Sequence, residues 1–300
     1  VPILDGVDQL IGRTPMLRLR RVGPPEGAEV CGKLESQNPG GSIKDRPALA
    51  MLQAAEARGQ LKRGDTIIEA TSGNTGISLA MLAAVRGYRC VLVMPDDASI
   101  TRKQLLKSYG AEVVLTNAAL GMAGAVAQAS QMLAQAPRAF MPRQFQNPEN
   151  ARSHELTTAE EIWEDTDGNL DAVVIGVGTG GTLTGIARAL KRRRSGLKII
   201  AVEPRGSAVL SGGEPGLHGI QGLGAGFIPE VLDRALIDHV LTVTDVAADR
   251  MARRLSQEEG LLVGTSAGAN VYAAVEVARQ LRADQRVVTV LCDTGERYLA

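Results

Sequence analysis

The chain has 300 residues, 44% of them hydrophobic and 22% charged, and its 33 Lys and Arg balance its 33 Asp and Glu. That length suits two modest α/β domains or one large one, and the balanced charge leaves no footprint for nucleic acid or an anionic membrane surface. Aromatics at 3% disfavour a base-stacking surface, and no apolar run approaches the roughly 20 residues that span a bilayer.

Along the chain, short β-branched runs alternate with stretches of helical period. Thr66–Ala70, Arg89–Met94 and Glu112–Leu115 are expected strands, and Thr75–Arg86, Thr101–Tyr109 and Gly121–Ala136 expected helices. The second half repeats the pattern: strands at Asp171–Ile175, Lys198–Val202, His239–Val243 and Arg286–Leu291, helices near Thr182–Arg194, Val246–Glu259 and Ala267–Arg282. Such alternation predicts an α/β fold of two lobes, each a mostly parallel twisted sheet flanked by helices, with a ligand in the cleft between them. The lobes are placed at residues 1–145 and 146–300, with early strands near 15–35 open to pairing with the other lobe and a hinge at Pro142–Asn150. Arg205–Pro229 carries eight glycines and little periodicity; its apolar residues point to an ordered loop lining the cleft. The basic run Lys191–Arg194 sits where a helix ends, where cations complement the dipole. Cys31, Cys90 and Cys292 are read as buried reduced thiols, and the first residues lack the sections of a secretory signal, so a cytoplasmic location is expected.

Four loops join small residues to the start of an expected helix: Asn38–Lys44, Thr71–Thr75, Gly176–Thr182 and Gly264–Gly268. Free backbone N–H groups at such sites hold anions, and four of them suggest a ligand with more than one anionic group. The third loop matches the dinucleotide pattern GxGxxG, with Glu203 where a ribose-binding acid would stand. Thr179 and Thr182 suit a terminal monophosphate better than a diphosphate bridge. The fourth matches the nucleophile elbow GxSxG at Ser266, but all three histidines (His154, His218, His239) precede it, against the order of that triad. HELTT at His154 lacks the second histidine of a zinc helix, no CxxC occurs, and no metal is expected; the histidines are read as ordinary structural or surface residues. In NPGGSIKDR, Lys44 falls outside the frame of a Walker loop, in the first turn of a helix capped by Ser42. A lysine there, close to several anion loops, suits a covalent link to a phosphorylated aldehyde.

As a set, these loops resemble those of the cysteine synthases (O-acetylserine sulfhydrylases), fold-type-II pyridoxal-phosphate enzymes related to the tryptophan synthase β chain. The resemblance runs from IGRTPMLRL (Ile11–Leu19) to DTGERYLA (Asp293–Ala300). NPGGSIKDR resembles the Schiff-base motif, which implies Lys44 as the catalytic lysine. TSGNTG (Thr71–Gly76) resembles the substrate-carboxylate loop, which implies substrate contacts at Thr71, Ser72, Gly73 and Thr75 and places Asn74 against the cofactor's ring hydroxyl oxygen. GTGGT implies a phosphate cup of Gly178, Thr179, Gly180, Gly181 and Thr182. Ser266 is implied to face the pyridine nitrogen. Gln144, in RQFQNP, matches a second carboxylate contact, and Gly222 lies in GIQGLGAGF, which resembles the cleft-lining substrate loop.

The resemblance implies pyridoxal 5'-phosphate as cofactor and conversion of O-acetyl-L-serine and sulfide to L-cysteine and acetate through an α-aminoacrylate. Lys44 takes the α-proton and returns it. A neutral hydroxyl at Ser266 leaves the pyridine nitrogen unprotonated, which favours elimination and addition at Cβ over transamination. Departures from the family pattern are Ala267, where many relatives carry a second serine, and LCDTG (Leu291–Gly295), which resembles the B-type isozyme while GVGTGGT and GIQGLGAGF resemble the A-type. The double-arginine segment that accepts O-phosphoserine in some relatives is absent from LHGIQG (Leu217–Gly222), which favours O-acetylserine. Also implied are a homodimer and a possible partner in the C-terminal tail of serine acetyltransferase. Rival readings are a cystathionine-β-synthase-like enzyme using serine and homocysteine, a dehydratase (disfavoured by SGNTG in place of SGNH), and a non-catalytic partner of serine acetyltransferase, which an intact Lys44 argues against.

Overall fold

A computed structural model describes residues 3–299. The first two residues and Ala300, where the outer lobe limits and the end of the C-terminal motif fall, lie outside the described residues. In chain order the strands are β1 (Met16–Arg18), β2 (Glu29–Leu34), β3 (Thr66–Ala70), β4 (Arg89–Pro95), β5 (Glu112–Thr116), β6 (Ala139–Phe140), β7 (Ala172–Gly176), β8 (Lys198–Pro204), β9 (His239–Val243) and β10 (Arg286–Leu291). They form a six-stranded sheet in the order β1-β2-β10-β7-β8-β9 and a four-stranded sheet in the order β5-β4-β3-β6. All pairings are parallel except β1 with β2. The α/β expectation therefore holds. Strands β1 and β2 join the sheet built otherwise from the second half, because β2 pairs with β10 from Glu29–Arg286 to Leu34–Leu291.

The helices are α1 (Asp45–Ala57), α2 (Asn74–Arg86), α3 (Ile100–Ser108), α4 (Gly121–Gln135), α5 (Pro148–Ser153), α6 (Ala159–Asp165), α7 (Gly181–Arg193), α8 (Asp245–Glu259) and α9 (Thr265–Ala278). A π-turn at His154–Thr158 joins α5 to α6. Alternation along β10 shows how the larger sheet is covered: Val287 and Leu291 enter the core beneath α8 and α9, and Val288 and Val290 the core beneath α6 and α7. With both faces apolar, the strands read as continuous hydrophobic runs. In the smaller sheet Ile67 and Leu92 face α1 and α2, while Ile68, Val91 and Val93 face α4.

Two sequence expectations need correction. Helix α9 ends at Ala278, short of Arg282, because the Ala278 carbonyl accepts the Ala28 N–H ahead of β2. Helix α1 begins at Asp45, so Lys44 occupies the cap position and Ser42 caps nothing beyond the Lys44 N–H at 3.3 Å. Asp45 itself turns inward, accepting from the Gly40 N–H and the Ser78 hydroxyl, each at 2.5 Å. The basic run at the end of α7 does spread into ion pairs: Lys191 with Asp238, Arg192 with Glu155, Arg193 with Glu160 and Arg194 with Asp171.

Candidate active site

Parallel sheets present the loops at the carboxyl ends of their strands to ligands. Here the exit of β3 carries Thr71–Thr75, that of β7 carries Gly176–Thr182, and that of β10 carries Cys292 and Asp293. These loops meet at one cavity of about 1120 Å³. It is lined by Lys44, Thr71, Ser72, Gly73, Asn74, Thr75, Gln144, Gly178, Thr179, Gly180, Thr182, Gly222 and Ser266. Gly181 alone of the expected site residues stands behind the lining, its Cα face against Asn150.

The loop before Lys44 is stitched to the exit of β10. Ser42 bridges Asp293, the Ile43 N–H donates to the Cys292 carbonyl at 2.9 Å, and the Thr294 N–H to the Gly41 carbonyl at 3.2 Å. Two residues on, Arg46 is clamped by Glu35 and Glu161 through nitrogen–oxygen distances of 2.6–2.8 Å, and all of its side chain but 2% is buried. Lys44 thus stands on a backbone fixed from both sides. Burial pushes its amine below the ordinary lysine range, opposed by the neighbouring Cys292 and Asp293. A depressed amine is the form that acts as nucleophile or base at neutral pH.

Helix α2 opens at the other wall. No side chain caps it, so its first N–H groups face the cavity mouth with the partial positive charge of a helix start. The Thr75 hydroxyl donates to Gln144 Oε1 at 2.6 Å, which leaves the Gln144 amide N–H groups free to donate into the cavity. The Asn74 amide is held at both ends, donating to Asp293 Oδ2 at 2.7 Å and accepting from Arg297 Nη1 at 2.6 Å. One amide hydrogen remains to it.

The start of α7 forms the third wall, with Gly180 left-handed (φ 82) at the cap position, where it offers no side chain to the first turn. A Cβ at Gly178 would lie 2.2 Å from the Gly222 carbonyl oxygen, so the cup and the cleft loop touch backbone to backbone. Only glycine permits that. Glu203, the acid placed for a ribose, instead accepts from the Leu210 and Ser211 N–H groups and the Ser211 hydroxyl. It pins the start of the glycine-rich loop, whose Gln221–Ala225 segment, with Phe227 and Ile228, lines the cavity.

At the base, Ser266 is the second residue of α9, behind the cap residue Gly264. Its hydroxyl meets the Cys292 thiol, which burial pushes up to about 12. Both groups are neutral at physiological pH. Cys31 and Cys90 are buried, whereas Cys292 lines the cavity, a placement that its apolar sequence context does not reveal.

Comparison with known proteins decides the family. A family described as pyridoxal-phosphate dependent enzymes matches residues 7–293. A cysteine synthase of Staphylococcus aureus (strain Mu50 / ATCC 700699) is 50% identical over 298 residues, 99% of this chain and 96% of the relative. This chain belongs to the pyridoxal-phosphate-dependent enzymes and groups with the cysteine synthases. Among solved structures, an O-ureido-L-serine synthase superposes with a TM-score of 0.97 at 46% identity, covering 100% of this chain and 94% of that one. The cysteine synthase of Entamoeba histolytica superposes with a TM-score of 0.96 at 42% identity, covering 100% and 90%.

The cavity fits the cofactor of this pyridoxal-phosphate enzyme. An uncapped helix start beside two threonine hydroxyls suits a phosphate, the depressed Lys44 amine an aldehyde, and the neutral Ser266 and Cys292 an uncharged ring nitrogen. Sequence reasoning missed Cys292, which lines the cavity, and Asp293, Asn150 and His154, which stand behind it against Asn74, Thr179 and Thr182. Asn150 and His154 lie in the connection from Gln144 into the π-turn, where the one recognisable string, HELTT, is an incomplete zinc pattern. Among the described residues, no helix is long and apolar enough to cross a membrane.

Proposed function

We propose that this enzyme converts O-acetyl-L-serine and sulfide to L-cysteine and acetate, with Lys44 as its catalytic base. The observation that carries the reading is the convergence on one cavity of the Lys44 amine, the open start of α2 and the open start of α7. Gly178, Thr179, Gly180, Gly181 and Thr182 would hold the cofactor phosphate, Asn74 the ring hydroxyl oxygen, and Ser266 the ring nitrogen. When bound, pyridoxal phosphate supplies the electron withdrawal that acidifies Cα–H and lets acetate leave Cβ.

The chain's own residues divide the remaining work. The substrate carboxylate is gripped by Thr71, Ser72, Gly73 and Thr75 at the start of α2, by the free amide N–H groups of Gln144, and by the loop at Gly222. Lys44, its amine held below the ordinary lysine range by burial, takes the α-proton, and after hydrosulfide has bonded to Cβ it returns that proton to Cα. Phe145 and Phe227 meet edge to face at 5.2 Å at the cavity wall and exclude water from the reacting atoms. The same reading makes the protein a cytoplasmic homodimer, its three cysteines unpaired. A second occupant of the cleft would be the C-terminal tail of serine acetyltransferase, which would meet Met122, Val126, Phe227 and Ile228 at the mouth.

The test is spectroscopic and chemical. On adding O-acetylserine the visible spectrum of the holoenzyme should change, and sulfide should reverse the change with release of cysteine. Borohydride reduction followed by peptide mapping should tag Lys44, and Lys44→Ala should abolish turnover. A tag on another lysine, or turnover of serine with homocysteine but not of O-acetylserine with sulfide, would overturn the reading.

A further inference from the structure

Behind the cup lies a row of polar groups that touch none of the reacting atoms. Asn150, on α5, places its amide nitrogen 2.7 Å from the Gln144 carbonyl oxygen and 2.9 Å from Thr179 Oγ1. A carbonyl only accepts, so this contact fixes which end of the amide is nitrogen. Both amide hydrogens are then donated, one to Gln144 and one to Thr179. The Thr179 oxygen, also 3.4 Å from the Gly181 N–H, is filled as an acceptor from the protein side. Its own proton is left for the cavity that Thr179 lines.

One turn later, His154 repeats the arrangement. Its Nε2 lies 3.2 Å from Thr182 Oγ1 and its Nδ1 2.9 Å from Thr158 Oγ1. His154 is 1% exposed, and burial, reinforced by the nearby Arg46 guanidinium, holds its imidazole well below the ordinary histidine range. A neutral imidazole has one N–H and one lone pair. With the hydrogen on Nε2, Thr182 accepts and its proton is free; with the hydrogen on Nδ1, Thr182 spends its proton on the ring and turns a lone pair to the cavity. An anion in the cup is compatible only with the first.

The backbone is shaped for this contact. A Cβ at Gly181 would stand 2.0 Å from Asn150 Oδ1, and one at Gly185 would stand 2.2 Å from the Ala151 carbonyl and 2.8 Å from His154 Cβ. Two glycines one turn apart let α7 lie directly on α5 and the π-turn. Asn150 Oδ1 is buried without a partner. The amide is therefore oriented for what its nitrogen does, at the expense of its oxygen.

We propose that Asn150 and His154 are positioning residues that direct the hydroxyl protons of Thr179 and Thr182 toward the cofactor phosphate. This rests on the reading that the Gly178–Thr182 loop holds that phosphate. The two claims separate by comparing pyridoxal phosphate with pyridoxal, which lacks the anion, in titrations of the apoprotein.

The wild type should prefer the phosphorylated form strongly; equal affinities would sink the phosphate reading itself. In Asn150→Asp, an isosteric change from donor to acceptor, and in His154→Phe, affinity for pyridoxal phosphate should fall roughly tenfold or more, the scale of one lost charge-assisted hydrogen bond. Affinity for pyridoxal should change far less, and His154→Gln, which restores an N–H, should recover part of the preference. A purely structural role would lower both affinities together, leave the ratio unchanged, and refute the proposal. Nitrogen NMR of histidine-labelled wild-type protein gives a check that needs no variant. The Nε2–H tautomer is expected at His154, and the Nδ1–H tautomer would overturn its part.

Discussion

The Asn74 amide, at the opening of α2, donates to the buried Asp293 carboxylate at the exit of β10, 219 residues away in the chain, at 2.7 Å. Tyr298 donates its hydroxyl to the same Asp293 oxygen. Asp293→Ala should cost about 1–3 kcal/mol of stability, because a buried donor loses its acceptor. It should also weaken pyridoxal phosphate binding through Asn74. In titrations of the folded apoprotein, the double variant with Asn74→Ala should bind no worse than Asn74→Ala alone. Additive losses would show that Asp293 acts by another route.

Gly178→Ala should separate the cup from the cleft loop, since its Cβ would stand 2.2 Å from the Gly222 carbonyl oxygen. The expected loss is about 1–3 kcal/mol in stability, with purified protein largely colourless. Cofactor content by absorbance and chemical denaturation check both; full retention of cofactor would contradict the backbone contact.

For Ser266, helix capping does not explain the residue, because Gly264 holds the cap position. Ser266→Ala should keep much of the activity, since no proton is held at the ring nitrogen. Ser266→Asp should slow departure of acetate and leave a lasting spectral change on adding O-acetylserine. Stopped-flow absorbance distinguishes them, and a spectrally normal, fully active Ser266→Asp enzyme would remove the electronic role.

Glu69 lines the cavity and accepts from the Arg143 and Ala70 N–H groups. Burial pushes its carboxyl from 4.5 up to about 7. A raised carboxyl binds its proton more tightly in the folded chain, so its contribution is full below about pH 4.5 and is lost as pH rises to about 7. That rise is worth about 3 kcal/mol. Urea unfolding at pH 5 and pH 8 should therefore show a smaller loss of stability in Glu69→Gln than in the wild type. Equal pH dependence in the two proteins would rule the assignment out.

Much of this molecule was legible in the chain itself. The β-branched runs at Thr66–Ala70 and Arg286–Leu291 end where the strands end, because strands buried on both faces are continuous apolar runs and chain-local patterns carry that signal; the run at His239–Val243 matches the edge strand β9 through its β-branched residues alone. The glycine loops with Lys44, Thr71–Thr75 and Gly178–Thr182 were visible for the same reason: each is a contiguous string whose backbone freedom and hydroxyls are local properties. What only the tertiary structure decided is how distant residues meet. The pairing of β2 with β10, the Asn74–Asp293 contact, the Cys292 thiol beside Ser266, and the Asn150–Thr179 and His154–Thr182 contacts join residues between 26 and 257 positions apart. Asn74, Ser266, Thr179 and Thr182 stand out in their own loops, but nothing in those loops points to Asp293, Cys292, Asn150 or His154 as their partners. Their roles follow from burial and from which donor finds which acceptor, and those are fixed only once the two sheets have brought their strand ends to one cavity.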